Sequence, residues 1–284
     1  MNKFVISGFS DEIDENIEKQ FSYLKAHDIK FFEPRGVDGK NVADLNNDEV
    51  LALKEKMDEY GIKASSIGSP IGKIQITDDF DVHIKKLKRV IEISKMLGTK
   101  YIRVFSFFIP NGEYEKYRDE VIYRMKTMTA LAEKEKIVLL HENEKGIYGD
   151  MAERCLEIVK EVNSPSLRCV FDPANFVQCN QKTYPNAYEI LRPYIEYMHI
   201  KDALPDGTVV PASKGEGRVE EILKHLYDSG YCGFLSIEPH LGAFTGLEKL
   251  EQGDEMLALE KSSEEKFTLA YESLMEIVER ILRQ

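Results

Sequence analysis

Eight short apolar segments alternate with amphipathic stretches along the whole chain, and this alternation limits the possible folds more than any other feature of the sequence. The predicted strands cover residues 3–8, 29–33, 62–67, 101–107, 137–142, 167–172, 195–200 and 234–238. The predicted helices cover residues 11–27, 48–60, 80–97, 113–136, 150–162, 188–194, 219–229 and 263–283. Eight strand–helix units in strict alternation favour an α/β fold of the closed (β/α)8 barrel type over an open doubly wound sheet.

The ends of the segments carry the expected capping residues. Ser10 is predicted to cap the start of the first helix, and Gly61 and Gly98 are placed to end the second and third helices. Because no linker or low-complexity run interrupts the alternation, residues 1–284 are predicted to form a single TIM-barrel domain. Residues 241–262 form the one long irregular connection. They follow the eighth strand and are predicted to lie over the barrel mouth as a lid or an interface segment. The alternative is an acidic loop on the surface.

The composition restricts the kinds of partner and compartment. The formal net charge is −12 and no basic cluster is present, which argues against nucleic acid as the main partner. No apolar run approaches the roughly 20 residues of a membrane span, and the apolar start of the chain is too short for a signal peptide. The cysteines form no CxxC pair and are predicted to be reduced thiols of a cytoplasmic protein without disulfides; they are Cys155, Cys169, Cys179 and Cys232.

Four successive strand-like segments in the second half each bring a metal-type ligand near their C-terminal end. The segments VLLHE, CVFD, YMHIKD and LSIE carry Glu142, Asp172, His199 and Glu238. In a barrel of parallel strands these ends converge on one mouth, where two carboxylates about 4 Å apart would repel by roughly 4 kcal/mol. A divalent cation removes that repulsion, so the pattern predicts a metalloenzyme. The ligand set favours Mn²⁺, Mg²⁺ or Co²⁺ and is compatible with Zn²⁺.

The alternation of side chains along a strand sorts the neighbours of these ligands. Lys201 shares a face with His199 and can reach the same mouth. His141 precedes Glu142 and therefore points outward to the helices, as a packing residue or as a support for the ligands. The turn Asp-Pro-Ala-Asn after the sixth strand brings Asn175 back towards the site, where Asn175 and Lys201 are candidates for binding a substrate.

Three further groups are candidates for binding a substrate. Glu33 and Arg35 lie two residues apart at the end of the second strand and share a face, so they either bind substrate hydroxyls or pair with each other. Arg103, in the fourth strand, is a candidate for binding an anionic group. The glycine-rich loop 214–218 follows the seventh strand, where barrels often bind phosphate, and the alternative is a tight turn before a helix.

These segments together carry a family resemblance that covers nearly the whole chain. LLHENE, FDPANF, HIKDA and LSIEPHL, with the N-terminal GFSDEI, FFEPRGVDGKNV and SSIGSPIGKI, resemble the sugar phosphate isomerase/epimerase family of xylose-isomerase-like TIM barrels. Ketose 3-epimerases, inosose dehydratases and endonuclease IV are related to that family. The resemblance implies one divalent metal ion bound by Glu142, Asp172, His199 and Glu238. It also implies that Glu142 and Glu238 form the acid/base pair and that Glu216 faces the site.

The leading functional hypothesis is a metal-dependent isomerase or epimerase. Its substrate would be a sugar, keto-sugar or sugar phosphate, and the reaction would be proton transfer through a metal-stabilised enediolate, without a nicotinamide cofactor. The sequence after the first strand has no GxGxxG fingerprint, which agrees with that expectation. The expected partner is a small sugar or polyol, with no nucleic acid and no membrane. Assembly into a homo-oligomer is left open.

Three alternatives remain beside this hypothesis. A dehydratase of a cyclic keto-polyol of the inosose type could use Lys201 as an additional acid/base group. A non-catalytic sugar-binding barrel belongs to another class, and metal content would discriminate it from an enzyme. A nuclease of the endonuclease IV type is disfavoured, because only His199 and His240 among the six histidines are predicted at the mouth and the net charge is −12.

Overall fold

A computed structural model of the protein describes residues 4–110, 112–244 and 260–283. Within this part the chain forms a ring of eight parallel strands, each matching a predicted strand. The strands are β1 Val5–Gly8, β2 Phe31–Phe32, β3 Lys63–Ala64, β4 Tyr101–Val104, β5 Val138–Glu142, β6 Leu167–Phe171, β7 Ile195–Ile200 and β8 Phe234–Ile237. The predicted barrel is therefore confirmed, although β2 and β3 are shorter than expected.

The backbone hydrogen bonds of the ring divide its strands into two groups. Six strands form a continuous parallel sheet in the order β1, β8, β7, β6, β5, β4, and β2 pairs separately with β3. Two local links join these parts. The Glu33 N–H donates to Gly8 O at 2.9 Å, and Ile67 forms a parallel bridge with Ile102. The C-terminal ends of all eight strands consequently face one mouth.

The described residues contain nine α-helices; most of them cover the outside of the ring, and the short one directly after β6 lies at the mouth. They are α1 Ile17–Ala26, α2 Asn47–Tyr60, α3 Phe80–Leu97, α4 Tyr114–Lys134, α5 Ala152–Val162, α6 Pro173–Gln178, α7 Tyr188–Leu191, α8 Val219–Asp228 and α9 Glu264–Leu282. The short helix α6 was not predicted; it begins directly after β6, with Pro173 in its first turn. No helix in the described ranges is both long enough and apolar enough to cross a membrane.

The start of the first helix differs from the prediction. Helix α1 begins at Ile17, where Asn16 accepts hydrogen bonds from the backbone N–H groups of Glu18 and Lys19. The prediction of Ser10 as the N-cap is wrong, because Ser10 donates its hydroxyl to Gln20 and opens a separate 3-10 turn, Ser10–Glu12. The residues after Ser10 are drawn inward to the barrel mouth, so the helix starts later. By contrast, the helix ends at Gly61 and Gly98 are confirmed, since both glycines are left-handed.

An apolar layer fills the ring directly beneath the mouth. Tyr101, Leu140, Val170 and Tyr197 pack together inside the barrel. The last three lie two residues before Glu142, Asp172 and His199 in their strands, and thus on the same inward face. The charged residues of the mouth therefore lie above a floor of packed side chains inside the ring.

The long connection after β8 is only partly described. Residues 245–259 lie outside the described residues, so the hypothesis of a lid or interface over 241–262 stays a prediction. At the two described ends, Ala243 N–H donates to Glu260 O at 2.8 Å and Ser262 N–H donates to Ala243 O at 2.7 Å. These bonds bring the two ends together. The prediction of one domain over residues 1–284 also stays a prediction.

A left-handed glycine fixes the segment between β3 and α3 against the end of β4. Gly72 has φ 89°, its carbonyl accepts from Phe107 N–H at 3.0 Å, and its N–H donates to His83 Nε2 at 2.8 Å. A Cβ added at Gly72 would lie 2.0 Å from the carbonyl oxygen of Phe105. This position consequently requires glycine for space as well as for conformation.

We expect Gly72→Ala to destabilise the protein by at least about 3 kcal/mol, since it combines left-handed strain with a backbone clash. Gly98→Ala is the matched control, because Gly98 has φ 78° and open space around the added Cβ. That variant should lose only roughly 1 kcal/mol. Urea unfolding of both variants measures the difference, and equal losses would show that the close approach to Phe105 is relieved without cost.

Candidate metal centre at the barrel mouth

Four buried side chains converge at the mouth. Glu142 ends β5, Asp172 follows β6 as the N-cap of α6, His199 lies in β7, and Glu238 follows β8. One nitrogen or oxygen atom from each lies within 4.8 Å of those from the other three. None of the four is more than 2% exposed. The structure thus brings together the four residues that the strand-end pattern singled out.

The imidazole of His199 has two different sides. Its Nδ1 lies 2.8 Å from Glu142 Oε1 and 3.5 Å from Glu238 Oε2, so this nitrogen points into the group of acids. Its Nε2 points the other way and lies 3.3 Å from Glu33 Oε2. The ring edge packs against Phe9, with centroids 5.1 Å apart. Nδ1 is therefore the nitrogen that could bind a metal.

Lys201 lies beside two of the acids. Its Nζ donates to Glu238 Oε2 at 2.8 Å, and it lies 3.0 Å from Asp172 Oδ2. The second contact is close enough for an ion pair, but its angles are not those of a hydrogen bond, so Asp172 Oδ2 is buried without a hydrogen-bond partner. Asp172 Oδ1 accepts from Asn175 N–H at 3.0 Å. One oxygen of Asp172 is thus held while the other is available as a ligand.

Arg103 and Asn175 contact Glu142 from two directions. Arg103 Nη1 donates to Glu142 Oε2 at 3.2 Å, and Asn175 Nδ2 donates to Asn143 O at 2.9 Å with a longer contact of 3.4 Å to Glu142 Oε1. Both side chains are buried. Two residues that the sequence suggested as substrate ligands therefore also orient a candidate metal ligand.

Glu33 and Arg35 have separate partners, which excludes the hypothesis that they simply pair with each other. Arg35 binds Asp11 through two hydrogen bonds of 2.8 and 3.0 Å and donates to Glu12 at 2.9 Å and to Glu238 at 3.3 Å. Glu33 instead lies under His199. Sequence reasoning missed Asp11 and Glu12, although SDE directly follows the first strand and so falls at the same mouth.

Aromatic rings enclose the guanidinium of Arg35. Its central carbon lies 4.4 Å from the centroid of Phe9 and 3.8 Å from that of Phe244. His240 Nε2 lies 3.2 Å from Arg35 Nη1. These contacts fix the guanidinium next to Glu238 and exclude water from the ion pair, which strengthens it.

The close packing of charges shifts several pKa values. Burial raises the pKa of Asp172 to about 7, helped by Glu142 and Glu238 and opposed by Lys201. Burial also raises the pKa of Glu142, but His199 and Arg103 outweigh it and the pKa falls to about 2. For His199 burial lowers the pKa, whereas the acids Glu142, Glu33 and Glu238 raise it to about 10. The side chains alone thus hold protons that a divalent cation would replace.

Among the described residues of the mouth, the buried acids of this cluster outnumber the permanent cations by six to three. The acids are Asp11, Glu12, Glu33, Glu142, Asp172 and Glu238, and the cations are Arg35, Arg103 and Lys201. Lys73 and Glu144 form a further ion pair, with 2.9 Å between Nζ and Oε2, and this pair adds no net charge. The donor set of three carboxylates and one imidazole, the buried free oxygen of Asp172 and the charge excess all fit a hard divalent cation such as Mn²⁺, Mg²⁺ or Co²⁺, with Zn²⁺ compatible.

The glycine-rich loop 214–218 is closed by an internal carboxylate. Asp202 accepts hydrogen bonds from the N–H groups of Ala203, Gly215 and Gly217 at 2.8, 3.1 and 2.7 Å. A Cβ at either glycine would collide with Asp202. Of the two interpretations of this loop, the structure favours the tight turn, because these amides are not free for a phosphate.

Glu216 is not part of the buried cluster. Its side chain is exposed and lines a surface groove of about 330 Å³ together with Lys182, Tyr184 and Arg218. Its backbone N–H donates to Ala203 O at 2.8 Å. The backbone of Glu216 therefore helps to form the turn, whereas its carboxylate lies apart from the four candidate ligands.

His141 faces away from the mouth, on the opposite side of β5 from Glu142. It is buried beside Gly149, where an added Cβ would lie 2.4 Å from its ring carbon Cε1. Neither ring nitrogen has a hydrogen-bond partner, and burial lowers its pKa to about 4. The structure thus gives His141 a packing role.

The chain matches a known protein family, and its fold is similar to that of solved structures. A family model described as a xylose isomerase-like TIM barrel matches residues 21–261. A D-tagatose 3-epimerase-like protein superposes with a TM-score of 0.74 at 19% identity, covering 99% of each chain. D-allulose 3-epimerase from Methylomonas sp., in complex with D-allulose, gives a TM-score of 0.73 at 14% identity, covering 99% of this chain and 98% of that chain.

Another similar structure is described as the IOLI protein with a binding zinc atom. It gives a TM-score of 0.73 at 17% identity and covers 98% of this chain and 99% of that chain. No curated protein sequence matches the chain at a significant level. At these identities the solved structures establish the shared fold.

We expect the buried neutral His141 to make stability depend on pH. Below pH 6.5 the unfolded chain protonates this histidine, whereas the folded chain does so only near pH 4, so the free energy of unfolding falls as the pH falls. Between pH 8 and pH 5 this group should account for about 2 kcal/mol of the loss. Urea unfolding of His141→Leu at both pH values should show a loss smaller by that amount, and an unchanged pH dependence would contradict the assignment.

Proposed function

The chain belongs to the xylose isomerase-like TIM barrel family, and from this premise we propose that it is a divalent-metal-dependent isomerase or epimerase of a sugar or keto-sugar. The observation that carries the proposal is the buried convergence of Glu142, Asp172, His199 and Glu238 at the C-terminal ends of four successive strands. Structures of the same fold that are described as an epimerase and as an epimerase-like protein support the same class of reaction.

The four converging residues would hold the metal ion. Glu142, Asp172 and Glu238 would each supply a carboxylate oxygen, and His199 would supply Nδ1. A divalent cation bound there supplies a Lewis acid for a substrate carbonyl and its neighbouring hydroxyl, which makes the adjacent C–H more acidic. We propose Mn²⁺, Mg²⁺ or Co²⁺ for this role, with Zn²⁺ compatible.

Glu142 and Glu238 are the proposed acid/base pair. They reach the cluster from β5 and β8, with β6 and β7 between them. Arg103 lies 3.2 Å from Glu142, and Lys201 and Arg35 lie 2.8 and 3.3 Å from Glu238. These cations hold both carboxylates ionised and therefore able to remove a proton from carbon. One glutamate would remove the proton from one face of the carbon and later release it to solvent. The other glutamate would take up a proton from solvent and deliver it to the opposite face of the same carbon, which gives an epimer.

Lys201, Arg103 and Asn175 are the proposed substrate-binding side chains. Each already contacts a carboxylate of the centre. Lys201 and Arg103 have further N–H groups that could donate to a substrate oxygen without leaving that acid. Both N–H groups of Asn175 are used, but its Oδ1 is buried without a partner and could accept from a substrate hydroxyl. Such shared contacts would hold the reacting carbon at a fixed distance from the acid/base pair. Glu216 is not included, because its side chain lies in the separate surface groove.

The charge balance favours an uncharged substrate over a sugar phosphate. With a divalent cation bound, five positive charges would face the six carboxylates that the structure describes at the mouth, so these residues leave no net positive charge to attract an anion. Loop 214–218 offers no substitute, since Asp202 accepts from two of its amides. We therefore propose a neutral keto-sugar or polyol.

A dehydratase of a cyclic keto-polyol is the second candidate, and the position of Lys201 favours it. The ammonium lies 2.8 Å from Glu238 Oε2, and Asp172 and Glu238 raise its pKa well above the usual value although burial lowers it. A protonated lysine at this place could protonate a leaving hydroxyl after the same first proton removal. The two reactions would thus differ only after that step.

Metal binding tests the ligand set. We expect one tightly bound divalent ion per chain in the wild type, and an affinity for Mn²⁺ lowered by more than about 100-fold in Glu142→Gln and in Glu238→Gln. Glu144→Gln is the control, because Glu144 is a buried acid of the same mouth that pairs with Lys73 outside the cluster. Titration calorimetry and elemental analysis measure the result. Wild-type occupancy in both ligand variants would refute the assignment.

Solvent exchange tests the reaction and the substrate charge together. In D₂O with Mn²⁺, we expect a free ketohexose or inosose to gain deuterium at the carbon next to the carbonyl, seen by mass spectrometry and NMR. The phosphate monoesters of the same ketohexoses should gain at least about tenfold less label in the same time. Equal or faster labelling of the esters would contradict the neutral-substrate proposal alone. Loss of water from the labelled compound would identify the dehydratase.

A further inference from the structure

We propose that Glu33 is a positioning residue that sets the orientation and the tautomer of His199, and thereby the affinity of the centre for its metal ion. The inference rests on the proposed function, because it assumes that His199 is a metal ligand. It changes the role of Glu33, which the sequence suggested as a substrate-binding residue.

Glu33 is fixed from several strands at once. It follows β2 and is 1% exposed. Its Oε2 accepts from Tyr197 Oη at 2.9 Å and from Ser236 Oγ at 2.8 Å, which lie in β7 and β8. Tyr197 Oη also lies 2.8 Å from Ser65 Oγ, next to β3. A carboxylate held in this way has little freedom, so it can act as a fixed reference for its neighbours.

His199 needs such a reference to serve as a ligand. A neutral imidazole has a hydrogen on one nitrogen and a lone pair on the other, and only the lone pair binds a metal. Nδ1 faces Glu142 and Glu238, whereas Nε2 lies 3.3 Å from Glu33 Oε2. An N–H at Nε2 that donates to Glu33 leaves the lone pair at Nδ1, on the side of the three other ligands.

The place of Glu33 in the barrel argues against direct contact with a substrate. Its bonded oxygen lies between the imidazole and the tyrosine of the apolar floor, with Tyr197 on one side and His199 on the other. Substrate atoms would approach from the mouth and meet His199 first. Glu33 acts on the centre through the contact of its Oε2 with the histidine, while its Oε1 is buried without a hydrogen-bond partner among the described residues.

The test compares two variants of the same hydrogen-bond group. Glu33→Gln keeps the size of the side chain but removes its charge. It also replaces one of the two acceptor oxygens by an NH₂ donor, so the side chain need no longer accept from Nε2–H. Tyr197→Phe is the matched control, because it removes a hydrogen bond to the same carboxylate and leaves the contact with His199 intact. We expect the affinity for Mn²⁺, measured by calorimetry on chelator-treated protein, to fall 10- to 100-fold in Glu33→Gln and less than about threefold in Tyr197→Phe.

A second readout separates positioning from general destabilisation. The visible spectrum of the Co²⁺-loaded protein reports the ligand geometry directly, and we expect it to change in Glu33→Gln and to stay the same in Tyr197→Phe. If Glu33→Gln does not fold, Glu33→Asp replaces it. The shorter carboxylate keeps the charge but withdraws from Nε2, so about a tenfold loss of affinity is expected.

The outcomes distinguish this inference from the proposed function. Tight Mn²⁺ binding by the wild type with unchanged affinity and Co²⁺ spectrum in the Glu33 variant would overturn the positioning role and leave the proposed function standing. An equal loss of affinity in Tyr197→Phe would assign Glu33 a purely structural role and would also overturn it. A wild type that binds no divalent metal would refute the proposed function itself, together with the inference that rests on it.

Discussion

Mutual repulsion of carboxylates is the constraint on which this structure depends. Parallel strands in a ring deliver their last residues to one mouth, and in this chain those residues include Glu142, Asp172 and Glu238. In a buried setting, acids this close cannot all be ionised without nearby positive charge. The positions of Arg35, Arg103 and other cations at the mouth follow from that requirement.

The same charged residues also connect the two short strands, β2 and β3, to the continuous six-stranded sheet. The sheet from β4 through β8 to β1 is continuous, whereas β2 and β3 contribute two residues each. Arg35, just beyond β2, binds acids that follow β1 and β8, and Glu33 accepts from side chains of β7 and β8. Polar contacts at the mouth thus supply cross-links that the short strands lack in their backbone pairing.

The sequence predicted the fold and the convergence of the acids well, because both follow from the spacing of strands around a ring. It failed at the first helix, where local capping favoured Ser10 but Asp11 and Glu12 are recruited by an arginine far away in the chain. Alternation also placed Glu33 on the same face as Arg35 without giving the depth of Glu33 in the barrel. Whether a side chain lies above or beneath His199 depends on contacts between strands. The alternation of side chains along a single strand does not contain that information.

Asp202 shows how a related barrel could acquire a different substrate preference while its candidate metal ligands stay the same. This one carboxylate occupies the amides of Gly215 and Gly217, at the end of the barrel strand that also carries His199. Its replacement by a small neutral residue would release a concave row of N–H donors of the kind that binds anions. Recognition of a charged substrate could then evolve by subtraction of a single acid, since the backbone geometry that it requires already exists.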